Sequence, residues 1–475
     1  MSEVLKPDLC VIGAGSGGLS VAAIAASFGV SVVLVERDRM GGDCLNVGCV
    51  PSKALIAAGD RARSIRDSGR FGLERAEPRT NYARVRDHVQ GVIAGIAPND
   101  SAERFAALGV RVIRAEARFT DPRTLVAAEV TIMARRFVLA TGSRPAIPPV
   151  PGLSDVPYLT NETVFELTRR PERLVVIGGG PIGLELAQAH RRLGAEVSII
   201  EAGRLLPRED AELASVIERR LAAEGIDIRV GAAVAAVEPR GDRIAVLLEG
   251  GDAIEGSHLL VATGRTPTVD GLGLEAARIK ADRSGILVNR ALRTSNRRVY
   301  AIGDCAGGAG AAYRWTHSAN HQAGLVIRSA LFRLPIGLDA DPMPRVTFTD
   351  PELAAVGMSE DDARAARRPF RILRWPFAEN DRAQAERATE GLVKAIVTPR
   401  GRVLGCAIAG PHAGELIAPW TLAIRKGLKA QDLAGTVFPY PTLSEASKRA
   451  AVEFLRPSAE TPWVRRLIRI LRLFG

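Results

Sequence analysis

Cysteine is scarce in this chain, with five in 475 residues. That is too few for a disulfide scaffold and fits a reducing cytoplasm, where a disulfide serves catalysis more often than structure. Long apolar runs are also missing. No stretch reaches the roughly 18 residues of a membrane span. The opening Met1-Ser2-Glu3-Val4-Leu5-Lys6-Pro7 lacks the basic-then-apolar order of a signal peptide. Lysine supplies only seven of the 64 basic residues. The net charge of +11 points first to nucleic acid. The arginines, however, are spread along the whole chain, with no recognition helix, zinc finger or aromatic RNA-binding signature beside them. The sequence therefore argues against a nucleic-acid partner. A hydrophobic content of 47% and a charged content of 25% are those of a globular protein, and the length calls for about three domains.

Against that scarcity, Cys44 and Cys49 stand five positions apart in Gly41-Gly42-Asp43-Cys44-Leu45-Asn46-Val47-Gly48-Cys49-Val50-Pro51-Ser52-Lys53. An undistorted helix would separate them by about 7.5 Å along its axis, whereas a disulfide tolerates a Cα separation of about 4.4–6.8 Å. Closure requires a coiled or kinked backbone, which Gly42 and Gly48 permit. A helix is expected to follow through Pro51 and Ala54-Leu55-Ile56-Ala57-Ala58, and its positive end would favour a thiolate nearby. The pair reads as a redox dithiol, as two buried structural thiols or as half of a metal site. Metal sites favour CxxC knuckles with a second pair or histidines downstream; the sequence has none, and no metal is expected.

Two stretches carry the nucleotide-binding pattern. Leu9-Cys10-Val11-Ile12 reads as a strand, Gly13-Ala14-Gly15-Ser16-Gly17-Gly18 as a turn and Leu19 to Phe28 as a small-residue helix; a second strand from Ser31 ends at Glu36, 18 residues past Gly18. The arrangement recurs 165 residues later with strand Leu174–Ile177, turn Gly178-Gly179-Gly180-Pro181-Ile182-Gly183, helix Leu184–Leu193 and strand Glu196–Ile200 ending at Glu201, again 18 residues past the third glycine. Glycines let the backbone approach a pyrophosphate at the helix N-terminus, and the acid binds ribose hydroxyls. Two such units imply two dinucleotides, one held and one exchanged.

The thirteen residues Gly41 to Lys53 closely resemble the active-site signature of the flavin-dependent pyridine nucleotide-disulfide oxidoreductases, a family that includes dihydrolipoamide dehydrogenase, glutathione reductase and mercuric reductase. Leu139-Ala140-Thr141-Gly142-Ser143-Arg144-Pro145, Val261-Ala262-Thr263-Gly264-Arg265-Thr266-Pro267, Val299 to Asp304 and Pro344 to Glu352 resemble further family landmarks, so the resemblance covers about residues 7–455. It implies an α/β fold with two Rossmann-like domains and a C-terminal α+β dimerisation domain. The expected boundaries are 1–146 and 267–337 for the FAD-binding and central parts, 147–266 for NAD(P), 338–455 for dimerisation and 456–475 for a basic tail.

The resemblance also implies site residues. FAD falls to Gly13, Gly15, Gly18, Glu36, Gly42, Lys53, Thr141, Gly142, Asp304 and Thr316, and the nicotinamide dinucleotide to Gly178, Gly180, Gly183, Glu201 and Gly264. Cys49 is implied as the flavin-side, charge-transfer thiolate and Cys44 as the interchange thiol. Lys53 sits near flavin N5, held by Glu185, and Asp304 meets the ribityl chain. A helix beginning near Thr316-His317 points its positive end at the flavin's pyrimidine edge. Glu201 favours NADH, since a carboxylate accepts from a free 2′-hydroxyl and repels a 2′-phosphate. A homodimer is expected, with a small-molecule thiol, disulfide or soft electrophile as acceptor. The runner-up is an NAD(P)H-dependent quinone or oxygen reductase, or a membrane-associated redox partner, that uses the flavin directly.

Two features depart from the family pattern. Dihydrolipoamide dehydrogenase and glutathione reductase carry His-Pro-Thr near the C-terminus with a glutamate after it, whereas this chain reads Tyr440-Pro441-Thr442 with Glu445. A phenol with a reference pKa near 10 is a poor general base at neutral pH. Mercuric reductase does carry a tyrosine in this region, but it ends in a vicinal cysteine pair, and this chain has no cysteine after Cys406. Secondly, Trp463 to Phe474 forms a basic amphipathic pattern, with Arg465, Arg469 and Arg472 on one face. It reads as a peripheral membrane contact at the inner face or as a helix docked on the protein's own surface or on its dimer partner.

Overall fold

A computed structural model describes residues 3–312, 314–338, 342–459 and 461–474. The chain divides into two compact units, Met1–Ala202 with Ala232–Leu338, and Gly203–Gly231 with Asp339–Gly475.

In the first unit, the all-apolar strand Leu9–Ile12 is fully buried, as a parallel strand covered on both faces must be. It pairs in parallel with Val32–Glu36 on one side and Arg136–Leu139 on the other. Val110–Arg114 and Val299–Ala301 complete a five-stranded sheet. The crossover helix is Ser16–Ser27, which starts inside the glycine turn; its small residues Gly17, Gly18, Ala22 and Ala25 let it sit close to the sheet. The second nucleotide-type fold repeats this plan. Arg173–Ile177 pairs in parallel with Glu196–Glu201 and His258–Val261, and Pro181–Arg192 is the crossover. An antiparallel sheet of Val234–Arg240, Arg243–Leu248 and Ala253–Gly256 closes a core of Ile177, Ile200, Val246 and Leu259. The two passages between these folds, Ser143–Pro145 and Arg265–Pro267, are paired with each other as antiparallel strands. Within the landmark segment Val299 to Asp304 the strand stops at Ala301, and the acid lies in the 3-10 turn Gly303–Cys305.

The second unit is built on a five-stranded antiparallel sheet, in the order Arg345–Thr347, Glu352–Gly357, Val403–Gly410, Leu392–Val397, Arg371–Pro376. Phe377 and Trp420 are fully buried in its core, and the indole of Trp420 donates to Ser447 Oγ at 3.1 Å. Helix Ala211–Ala223, which the sequence places with the nucleotide fold at 147–266, clusters here and packs on strand Val403–Gly410. Lys394 explains its adhesion. This buried ammonium lies 2.7 Å from Asp210, 2.9 Å from Glu212 and 2.8 Å from Glu360. Burial alone would lower its pKa, but hydrogen bonds to the three carboxylates raise it to about 12. A short helix, Pro462–Leu471, ends the described chain.

Candidate active site

The spacing problem of the two cysteines is solved by a break. Gly42–Asn46 and Cys49–Asp67 are separate helices, interrupted at Val47-Gly48. Gly42 has a φ of +58°, and a Cβ on it would stand 2.7 Å from the Cα of Gly15. The redox turn therefore lies in backbone contact with the first nucleotide turn. Both cysteines are thiols, Cys44 half-buried and Cys49 exposed, and Cys49 opens its helix, where the dipole favours negative charge. A hydrogen bond from Cys44 brings Cys49 down to about 6 against the opposing effect of burial, with Thr316 Oγ1 at 3.2 Å and the charge of Lys53 assisting. The same bond, burial and the charge on Cys49 push Cys44 well above the usual thiol range. The pair is thus split into one thiolate and one thiol at neutral pH.

Lys53 lies one turn beyond Cys49, and its ammonium donates to Glu185 Oε2 at 2.7 Å. Glu185 is buried, so removing its partner would leave a charge largely out of water. The contact exists because helices Cys49–Asp67 and Pro181–Arg192 pack together: Gly59 lets the backbone of Ala189 come close, and Arg192 pairs with Asp60.

Arg265 falls in one of the segments that resemble family landmarks, with no role implied for it there. Its Nη2 donates to Asp43 Oδ1 and to the Ser143 carbonyl, both at 2.9 Å. Its Nε donates to Ser143 Oγ at 2.7 Å, and Ser143 in turn donates to Asp304 Oδ2 at 2.6 Å. Asn161 joins this set, donating to the Val47 carbonyl at the helix break at 3.0 Å. One guanidinium thereby links the residue before Cys44, the paired crossing strands and the acid at Asp304.

Both nucleotide turns have the same internal bracing. The Ala14 amide donates to Glu36 at 2.6 Å and the Gly179 amide to Glu201 at 2.7 Å. A Cβ on Gly18 or Gly183 would collide with the carbonyl of Gly13 or Gly178, so helix and strand can meet only through glycine. Gly15 and Gly180 differ from these: an added Cβ would meet one atom at 3.9 Å at the first and nothing within 4 Å at the second. Protein packing does not require glycine there, whereas a pyrophosphate approaching the helix N-terminus does. The residues at both turns fit a dinucleotide. Thr141 Oγ1 donates to the Thr268 carbonyl at 2.6 Å, and the Gly264 carbonyl accepts from the Ala146 amide at 2.9 Å, so these residues brace the crossings. Thr316 opens helix Thr316–Ala330 beside Cys49.

The structure brings together Cys44, Cys49, Lys53, Glu185 and Thr316 in the first unit. Tyr440 and Glu445 lie in the second. Tyr440 is 68% exposed and donates to Asp381 Oδ2 at 2.8 Å. That bond and the charges of Asp381 and Glu445 push its pKa up, so the phenol is a donor. Asn380, next to Asp381, holds the Thr442 carbonyl at 3.1 Å, and Glu445 pairs with Arg449 at 3.0 Å. Asp381 was invisible in the sequence, since its only signal is a contact across 59 positions.

Two parallel sheets, each with a glycine turn and a terminal carboxylate, and a dithiol against the first turn define a two-nucleotide redox flavoprotein. Residues 7–323 match the family described as pyridine nucleotide-disulphide oxidoreductase, and residues 343–451 match its dimerisation domain. The chain is 34% identical over 453 residues to a mercuric reductase of Lysinibacillus sphaericus, covering 94% of this chain and 82% of that protein. It is 38% identical over 470 residues to a dihydrolipoyl dehydrogenase of Thermus scotoductus, covering 94% and 96%. The HOCl-induced flavoprotein disulfide reductase RclA of Escherichia coli, solved as a Cu(II) complex, shares its fold with a TM-score of 0.83 and 27% identity over 92% of this chain and 98% of that one. The chain belongs to the pyridine nucleotide-disulphide oxidoreductases. It is a homodimeric enzyme that uses FAD and a pyridine nucleotide with a redox-active cysteine pair. No helix among the described residues is long and apolar enough to cross a membrane.

Proposed function

We propose that this enzyme draws hydride from NADH and delivers electrons through Cys44 and Cys49 to a soft electrophile, with disulfides as slower acceptors. FAD, when bound, accepts the hydride and passes an electron pair to the disulfide form of the cysteines. Lys53, fixed by Glu185, would supply the cation beside the flavin, Asp304 a partner for its ribityl chain, and Glu36 and Glu201 the ribose acceptors. Thr316 and Lys53 hold Cys49 as thiolate, leaving Cys44 as the outer thiol.

The observation that carries the choice of acceptor is the split ionisation of the pair, together with tyrosine at position 440, where dihydrolipoamide dehydrogenase and glutathione reductase carry histidine. Attack by Cys44 on a disulfide forms a mixed disulfide and requires Cys44 to lose its proton first. Tyr440, held as a donor by Asp381, cannot take it. A soft cation bound by both sulfurs displaces that proton to water directly, and soft thiolates suit such cations. NADH is favoured because Glu201 accepts no 2′-phosphate, and because Arg204 is spent on the carbonyls of Leu206, Pro207 and Glu209. We place this chemistry in the cytoplasm, against the inner face of the membrane, on the scarcity of cysteine and the basic C-terminal helix.

The test is turnover with NADH and NADPH against Hg(II), Cu(II), lipoamide, glutathione disulfide, quinones and oxygen. Soft cations should lead, NADH should exceed NADPH, and Cys44→Ser should abolish turnover. Full activity of Cys44→Ser with a quinone or oxygen would replace this reading with direct reduction by the flavin.

A further inference from the structure

We infer that the helix Pro462–Leu471 is a docking surface for an anionic lipid bilayer. This deepens the membrane placement proposed above by naming the chemistry of the surface. Thr461 precedes the helix and Arg472 follows it. At 3.6 residues per turn, Ile470, Trp463, Phe474, Leu467, Leu471, Val464 and Ile468 fall on one arc about 160° wide. Arg465, Arg466, Arg469 and Arg472 fill the opposite arc, and residues 461–474 contain no acidic side chain. Pro462 and Leu473 also fall within the arginine arc, each at one end of the segment.

The apolar face is uncovered. Trp463 is 65% exposed, Leu471 56% and Phe474 83%. A helix that served only to clasp its own unit would bury that face. The match to the dimerisation domain ends at residue 451, so the helix lies beyond the part of the chain that the family fold requires. Its ten residues rise about 15 Å, half the roughly 30 Å of a hydrocarbon core. It therefore lies in the interface, with Trp463 at headgroup depth, the leucines and isoleucines below and the arginines toward the phosphates. Four arginines facing outward make the charge complementary to anionic lipid, at roughly 1 kcal/mol each near the surface. Two such helices per homodimer raise the effective concentration of the second contact once the first is made.

The experiment is flotation of the full-length FAD-loaded enzyme with vesicles of phosphatidylcholine alone and of phosphatidylcholine mixed with phosphatidylglycerol. Reductase activity with a soluble acceptor is read separately on the same samples. The enzyme should float with the anionic vesicles, far less with the neutral ones, and be released by salt. Arg469→Gln should weaken binding about fivefold. Leu467→Glu should abolish it, and both variants should keep their turnover. Failure of the full-length protein to float at low salt would overturn the proposal. So would Leu467→Glu dissociating the dimer or lowering its melting temperature while flotation is unchanged, since the helix would then be a clasp between subunits. Flotation requires no catalysis, so a failed choice of acceptor would leave this result standing.

Discussion

Arg265 sets the charge beside the redox pair, and the size of its effect can be worked out. Its guanidinium meets Asp43 Oδ1 at 2.9 Å; Arg265 is 17% exposed and Asp43 39%, so solvent screens the pair in part. Asp43 acts on Cys49 in the unfavourable direction, raising its pKa. In Arg265→Gln the carboxylate loses its counter-charge. A bare unit charge about 6 Å away in an effective dielectric of about 40 costs a thiolate roughly 1.4 kcal/mol, or one pKa unit. Cys49, now at about 6, should titrate near ~7 in the variant. Asp43→Asn should shift it the other way, and the double variant should return it close to the starting value, because the two substitutions act through one pair. The assay is the long-wavelength charge-transfer absorbance of the two-electron-reduced enzyme under argon, followed against pH. Because a depressed thiol pKa means thiolate is present above it, the band should grow as pH rises through the pKa and should do so later in Arg265→Gln. If both single variants titrate where the parent does, the ion pair does not tune Cys49 and the reasoning fails.

Three further outcomes follow from the geometry. Glu185→Gln, which leaves Lys53 facing a neutral amide, should lower the rate of flavin reduction in stopped-flow by roughly 10–100-fold, less than the roughly 100–1,000-fold for deleting a preorganised donor because the Lys53 cation itself remains, while Cys44 and Cys49 still react with a thiol reagent. Tyr440→His should raise turnover with lipoamide, whereas Tyr440→Phe should leave it within about twofold, because a phenol bonded to Asp381 is not the base. Lys394→Ala should cost about 3–5 kcal/mol in urea unfolding, since Asp210, 9% exposed, would lose its counter-charge, whereas Glu360 keeps Arg364. Its raised pKa means that the stability it contributes is complete below the ordinary lysine value and fades as pH rises toward about 12.

The local parts of this molecule are legible in its sequence, and the distant contacts are not. The two glycine turns and their acids at equal spacing foretell both nucleotide folds, and the observed amide bonds to Glu36 and Glu201 give that spacing its physical reason. The glycines at 42 and 48 foretell a break between the cysteines, and it falls at Val47-Gly48. Arg265 meeting Asp43 across 222 positions leaves no periodic or compositional trace. The same holds for Asp381 beneath Tyr440, and for helix Ala211–Ala223 clustering with the C-terminal sheet around Lys394. Such contacts arise from tertiary packing, in which a side chain's partner is chosen by the closed fold and not by its neighbours in the chain.

The antiparallel pairing of Ser143–Pro145 with Arg265–Pro267 makes the intervening nucleotide fold a cassette whose entry and exit are a single zipped joint. Coenzyme preference can then be grafted as a unit, with both cuts at one place, provided the graft keeps Asn161 and Glu185, which reach Val47 and Lys53. The downstream cut must fall before Arg265, since that residue belongs to the host through Asp43. Residues 203–231 must be kept or matched, because they answer to the C-terminal unit. Evolution can exchange the donor of electrons here more freely than the path they take afterwards.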